Sequence, residues 1–240
     1  MDNKFIRSAM LLGEDGIEAL KNKKVAVFGI GGVGSFVVEA LARTGVGHLV
    51  LIDFDDIVES NINRQIHAHT GTIGQLKVKA MEERIKLINP NITVTSLSVL
   101  FNKDNLELIS SDLDYVVDAI DMVTSKLLII KQCKELNIPI ISSMGTGNKL
   151  NPAMLEVTDI AKTSMCPLAK VMRNELKKRR IKKVKVVYSK EQPLKPIELE
   201  KSSSRRSTPG SVSFVPSVAG LIIASEVIKD ILEINSWTYT

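Results

Sequence analysis

The chain is expected to be an α/β protein built on a doubly wound, largely parallel sheet, with antiparallel additions in its C-terminal half. Three observations predict it. Short apolar runs alternate with segments of helical spacing from Val25 to Ser142, and such alternation calls for the crossover connections of parallel strands. The first run, residues 25–28, breaks into glycines at 29, 31 and 34, the G-x-G-x-x-G spacing. A strand-to-helix turn this tight needs residues without a Cβ, and the helix that follows offers unpaired N–H groups and a positive dipole end to a phosphate. The second run, His48–Ile52, ends on Asp53, 19 residues after Gly34, the place of an acid that grips a ribose hydroxyl. Together these mark a Rossmann-like nucleotide-binding half, and the fingerprint alone leaves NAD and ATP both open.

Ahead of the first strand, residues 5–12 place apolar side chains at 5, 6, 9 and 12, and 14–20 repeat the pattern after Gly13. Two short helices are therefore expected as an N-terminal appendage. Residues 75–88 read as a helix stopped by Asn89-Pro90, 92–97 as an alternating strand and 102–109 as a short helix. Residues 115–121 form an apolar strand ending in a carboxylate, 122–136 a helix and 138–142 a further strand. Beyond Gly145-Thr146-Gly147-Asn148 the rhythm changes. There, 154–160 and 184–188 are expected as antiparallel strands around a basic helix from Pro167 to about Arg180. Residues 192–211, rich in Ser, Pro, Lys and Arg, are expected to be a mobile loop, and 217–232 an amphipathic closing helix. There is no internal repeat. The whole, 1–240, reads as one domain with a nucleotide-binding half at 1–150 and a basic, substrate-facing half at 151–240.

Composition narrows the class. Two cysteines, Cys133 and Cys166, give neither a disulfide framework nor a C-x-x-C pair, which suits a reducing cytoplasm. The N-terminus lacks the apolar core of a signal peptide, and the apolar stretch 212–224 is shorter than the roughly 20 residues of a membrane span. The net charge of +5 is unevenly placed: residues 170–206 hold 14 basic and 4 acidic side chains, a net of +10, leaving −5 for the remainder. Such asymmetry points to a polyanionic partner, against the plainer reading of a solvated basic helix.

The loop after Asp53 bears on the nucleotide. A dinucleotide dehydrogenase has little use for Asn61, Arg64 and Lys77 just past the ribose acid. Cleavage of ATP between its α and β phosphates needs cations there, because negative charge grows on the departing pyrophosphate. Arg64 can fork onto phosphate oxygens, Lys77 can act as a point charge, and Asp121 can hold a magnesium ion or position the attacking group. Asp118, three residues earlier, is expected to be structural.

The segments Gly29–Ser35, Asp53-Phe54-Asp55, Ser60–Gln65, Gly74–Lys77 and Asp118–Asp121 together resemble the ubiquitin-activating-like adenylating enzymes. The sulfur-carrier activators of that group commonly carry paired C-x-x-C motifs for zinc, which are absent here. The segments 162–173, 186–189 and 210–220 instead resemble the tRNA threonylcarbamoyladenosine dehydratases, and with them the likeness covers nearly the whole chain. That resemblance implies ATP-dependent activation of the carboxylate of threonylcarbamoyladenosine beside the tRNA anticodon, then ring closure with loss of water. It implies that Gly29, Gly31, Gly32 and Gly34 hold phosphates and that Asp53, with Asp55 beside it, serves the ribose. Asn61, Arg64 and Lys77 would contact the triphosphate, and Asp121 would take Mg2+. Arg7 would reach the nucleotide of a second copy in a homodimer, and a sulfur-relay partner protein is a further expectation. The alternative is an enzyme that adenylates the C-terminus of a ubiquitin-like sulfur-carrier protein.

Plainer readings stand beside these. Arg64 and Lys77 taken singly read as surface cations, and His67 and His69 lack a third metal ligand. Cys133 reads as packing, whereas Cys166 precedes Pro167 at a helix start, where a thiolate would be stabilised. Ring closure within the substrate needs no thioester. Arg205 and Arg206 touch tRNA or nothing.

Overall fold

The computed structural model describes residues 3–197 and 209–234. Helices α1 (Ile6–Leu12) and α2 (Glu14–Lys21) lead into β1 (Lys24–Phe28), α3 (Gly34–Thr44), β2 (His48–Ile52), α4 (Lys77–Ile88) and β3 (Thr93–Leu97). β4 (Tyr115–Asp118), α5 (Val123–Glu135), β5 (Ile140–Ser143) and β6 (Leu155–Asp159) follow, then α6 (Pro167–Lys178), β7 (Lys185–Ser189) and α7 (Phe214–Ile231). All seven strands join one sheet in the order β3-β2-β1-β4-β5-β7-β6. It is the expected doubly wound α/β sheet. Of the two late strands expected to be antiparallel, only β6 reverses; β7 runs parallel to β5.

Side-chain alternation along β1 explains the two helical layers. Val25 and Val27 point into a core made with Val37, Val38 and Leu41 of α3, Met81 and Ile85 of α4, and Ile223 and Val227 of α7. Ala26 and Phe28 point the other way, toward Ile129 and Ile130 of α5 and Met172 and Leu176 of α6. Phe5, Ala9 and Ile17 make a small satellite core between α1 and α2. No described helix is long and apolar enough to cross a membrane.

Several boundaries move for physical reasons. α4 starts at Lys77, two residues later than expected, because Leu76 bridges to Asp56 and the Gln75 carbonyl accepts the Ile57 N–H at 2.8 Å. β4 stops at Asp118, whose carboxylate turns inward. Residues 102–109 yield only a 3-10 turn at Leu106–Leu108. α7 begins before Pro216, which sits in its first turn, where a missing N–H costs nothing. Residues 198–208 of the expected loop, with Arg205 and Arg206, lie outside the described residues. Its described ends meet on Asn148: the carbonyl of Asn148 accepts the Leu194 N–H at 2.8 Å, and its side-chain oxygen accepts the Gly210 N–H at 2.7 Å.

Candidate active site

The strand order reverses between β1 and β4, and the loops at the carboxyl ends of β1, β2 and β4 meet there, the usual ligand crevice of such sheets. The turn from β1 into α3 closes tightly. Gly29 has φ +88, in the left-handed region, and a Cβ on it would lie 2.8 Å from the Ala119 carbonyl. A Cβ on Gly34 would lie 1.8 Å from the Gly29 oxygen, which no side chain can occupy. Around Gly31, by contrast, only Gln65 Nε2 comes within 4.0 Å of that position, so space is left beside the start of α3. A phosphate fits this cradle: open space, a helix N-terminus of eleven residues, and cations alongside.

Asp53 braces the turn. Its carboxylate accepts the Ile30 N–H at 2.6 Å and the Asp55 N–H at 2.9 Å. Burial pushes its pKa up, opposed by the nearby Lys77 charge and those two N–H groups. Lys77 sits at the first position of α4, where the helix dipole disfavours a cation. The compensation is local: its Nζ lies 2.5 Å from Asp55 and 4.0 Å from Asp53, with the side chain only 7% exposed. It is not a surface cation. A buried lysine neutralised by two aspartates is a fixed charge held in place before any ligand arrives.

Opposite stands the loop of residues 59–65. Asn61 is buried, its side-chain oxygen accepting the Val58 N–H at 3.2 Å. The Arg64 stem lies over Gly32, 3.3 Å from where a Cβ would be. Its Nη1 donates to the Ser60 carbonyl at 2.7 Å and to Asn63 Oδ1 at 2.9 Å. Two neighbours carry no sequence signal of their own. Asn63 also donates through Nδ2 to the Ser211 carbonyl at 3.0 Å, tying Arg64 to the segment that enters α7. Gln65 is buried beside Gly31, and its Oε1 has no partner among the described residues. Only the long-range contacts disclose either role.

The histidines divide. His67 is buried with both ring nitrogens unpartnered among the described residues; burial first, then Lys77 and Arg84, pushes its pKa down to about 4. His69 is exposed, and its Nδ1 accepts the Gly71 N–H at 3.1 Å. No group of three metal-ligating side chains occurs among the described residues. The two acids after β4 divide as well. Asp118 is fully buried, paired with Lys126 at 2.9 Å, and accepts the Ser142 hydroxyl at 2.5 Å and the Ile120 N–H at 3.3 Å. It fixes the loop that backs Gly29. Asp121 is exposed just ahead of α5, at the crevice.

Three residues lie apart from this cluster. Arg7 is on α1, and Phe5, just ahead of that helix, packs near Gly45 past the end of α3, at the opposite end of the sheet. Its own chain does not bring it to the crevice. Cys133 is buried in the α5 core, where burial pushes its thiol up to about 12. Cys166 is 3% exposed, its Sγ 4.0 Å from the Gly145 carbonyl.

Known proteins place this architecture. The tRNA threonylcarbamoyladenosine dehydratase of Bacillus subtilis (strain 168) is 43% identical over 244 residues, covering 97% of this chain and 96% of that protein. The structure of Escherichia coli tRNA N6-threonylcarbamoyladenosine dehydratase in complex with ATP matches with a TM-score of 0.88 and 36% identity, over 96% of this chain and 94% of that one. The molybdopterin-synthase adenylyltransferase of Escherichia coli (strain K12) is 35% identical over 128 residues, 53% of this chain and 51% of that protein. The model of the ThiF family matches residues 5–239, and the chain belongs to the ThiF family.

Proposed function

We propose that the chain uses ATP to dehydrate the threonylcarbamoyladenosine next to the anticodon of tRNA, through an acyl-adenylate. The observation that carries this reading is the buried Lys77, held beside the Asp53 that braces the glycine turn, with Arg64 lying over Gly32, in a chain like the Bacillus subtilis dehydratase over nearly its full length. Fixed cations at a phosphate cradle serve phosphate transfer, and hydride transfer has no need of them.

In this reading Gly29, Gly31, Gly32 and Gly34 shape the phosphate cradle, and Asp53 faces the ribose with the lone pairs its backbone donors leave free. Asn61, Arg64 and Lys77 oppose the charge that grows as pyrophosphate departs. Asp55 holds Lys77 in position. Asp121 would hold Mg2+, which when bound neutralises phosphate oxygens, with one protein carboxylate and the phosphates as ligands. The substrate carboxylate attacks the α-phosphate and displaces pyrophosphate. A nitrogen or oxygen of the same modified nucleoside then attacks the activated carbonyl carbon and AMP leaves with the former carboxylate oxygen, so one water is lost overall. Cys166, buried behind Gly145, is not needed for either step. A cytoplasmic homodimer completes the proposal: Arg7, exposed and far from its own crevice, would serve the partner's nucleotide. A sulfur-relay protein is a further proposed partner.

The second reading, adenylation of a carrier protein's C-terminus, draws on the 35% identity to the molybdopterin-synthase adenylyltransferase, which covers only about half of this chain. One experiment separates them. The protein is incubated with ATP and bulk tRNA with or without the threonylcarbamoyl group, and AMP release is followed. Release with modified tRNA alone supports the proposal; release with neither tRNA, but with a sulfur-carrier protein, overturns it.

A further inference from the structure

The loop of residues 145–151, between β5 and β6, holds both described ends of the stretch that leads from β7 to α7. At the first end the Asn148 carbonyl accepts the Leu194 N–H at 2.8 Å, and the buried Lys149 donates through Nζ to the Glu191 carbonyl at 2.8 Å. The Glu191 carboxylate in turn accepts the N–H groups of Leu150 and Asn151 at 3.0 and 2.9 Å. At the second end Asn148 closes on Gly210 from two sides. Its N–H donates to the Gly210 carbonyl at 2.7 Å, and its side-chain oxygen accepts the Gly210 N–H at 2.7 Å. Packing adds to the grip, since a Cβ on Gly147 would lie 3.0 Å from Pro209 Cβ. The reciprocal pair uses an uncommon backbone: Asn148 has φ +59, in the left-handed region, which asparagine tolerates better than most side chains.

Gly210 is thus held through both of its backbone groups. The next carbonyl along, that of Ser211, accepts Asn63 Nδ2 at 3.0 Å. The Asn63 amide fits one way round only: its NH2 faces that carbonyl, and its oxygen accepts Arg64 Nη1 at 2.9 Å. The other acceptor of Nη1, the Ser60 carbonyl, lies in the same loop as Arg64 and gives no hold on the rest of the fold. From Ser211 the chain runs on to Pro216, whose ring comes as close to Gly32 as the Arg64 stem does, each 3.3 Å from where a Cβ would be. Arg64 is therefore aimed from outside its own loop.

We infer that Asn148 is a positioning residue for Arg64: by holding Gly210 it sets the Ser211 carbonyl, and through Asn63 that carbonyl sets the guanidinium beside the glycine turn. The inference deepens the adenylation reading and rests on it only for what Arg64 does once aimed. It joins the loop after β5 to the loop after β2 across the mouth of the crevice.

The test replaces Asn148 by Gly, which keeps the left-handed backbone and removes the side-chain oxygen, and by Asp, which keeps an oxygen for Gly210. Hydrogen exchange of the ligand-free chain, followed by mass spectrometry, reads the link directly. Asn148→Gly should speed exchange of residues 59–65 about threefold while β2 exchanges as in the parent, and Asn148→Asp should restore the parent pattern. With ATP and threonylcarbamoyl-modified tRNA, Asn148→Gly should lower kcat for AMP formation about threefold, with KM for ATP little changed. Combined with Asn63→Ala it should be no slower than Asn63→Ala alone, because both cut the same line. Unchanged exchange at 59–65, or two rate effects that multiply, overturns the inference. Should Asn148→Gly fold poorly, Asn63→Ala decides from the other end: faster exchange at 209–211 supports the link, and unchanged exchange there overturns it. The exchange measurement needs no substrate, so a parent that releases no AMP would end the reading of the reaction and leave exchange to decide the link.

Discussion

The two ends of the sheet handle charge in opposite ways. At the carboxyl end two buried lysines are individually paired: Lys77 with Asp55 and Asp53, Lys126 with Asp118. At the other end the cations of residues 177–183 are exposed, with Lys178 and Arg179 sharing one glutamate. Removing a charge from water costs several kcal/mol unless its partners are well placed. A buried pair is thus a fixed device whose geometry can serve one reacting atom. Exposed cations contribute little singly and act together on an extended partner.

The sharpest way to break the contrast is steric. Gly34→Ala should cost roughly 3 kcal/mol or more, since its Cβ would meet the Gly29 oxygen at 1.8 Å. That corresponds to a melting temperature lower by about 6–12 °C in a chain of this size. Gly31→Ala, with open space around it, should melt within a degree or two of the parent while binding ATP more weakly. Calorimetry and thermal melting on the pair check both, and a normally stable Gly34→Ala would mean that the turn is not as tight as described.

Lys77→Ala comes next. Loss of a preorganised cation should lower AMP formation by roughly 10²–10³-fold. The melting temperature should drop by only a few degrees, because Asp53 keeps its backbone donors and Asp55 is half exposed. A fall in stability large enough to explain the lost activity would make Lys77 structural.

A third effect is acid sensitivity from His67. The ring is neutral when folded, with its pKa pushed down to about 4 from 6.5. Unfolding therefore takes up a proton between those values. Stability should be flat above pH 6.5 and fall as pH drops through the window, by about 2 kcal/mol at pH 5 from this ring alone. His67→Leu should remove that portion of the slope in denaturant titrations at pH 7 and pH 5. An unchanged slope would show that the ring is solvated.

The smallest expected effect is at Asn63. It acts on Arg64 through one hydrogen bond and on Ser211 through another. Asn63→Ala should lower kcat about fivefold, the effect of the roughly 1 kcal/mol of one hydrogen bond, with KM for ATP little changed. Asn63→Asp keeps the acceptor for Arg64 and should recover part of the rate. Loss confined to KM would place Asn63 in ground-state binding.

What was legible in the sequence shares a common cause. The glycine turn and Asp53 are governed by local sterics over a few residues, so spacing alone disclosed them. Strand direction was less so: 184–188 looked like an antiparallel addition because nothing in five residues says which neighbour they join. That direction decides which edge the basic cluster occupies, and it placed the cluster away from the crevice. Lys77 read as a possible surface cation because its burial depends on Asp55, 22 residues away. Gln65 and Asn63 were missed for the same reason: their significance lies in contacts with Gly31 and Ser211. Arg7 was expected at the nucleotide, yet the fold carries it to the far end of the sheet, away from the crevice of its own chain.

The crevice is assigned the removal of water from a nucleoside of tRNA at the expense of ATP. The most direct measurement digests threonylcarbamoyl-modified tRNA to nucleosides after reaction and weighs the modified one. The expected product is a nucleoside lighter by one water, formed only with ATP and in step with AMP. An unchanged nucleoside alongside continued AMP release would contradict it.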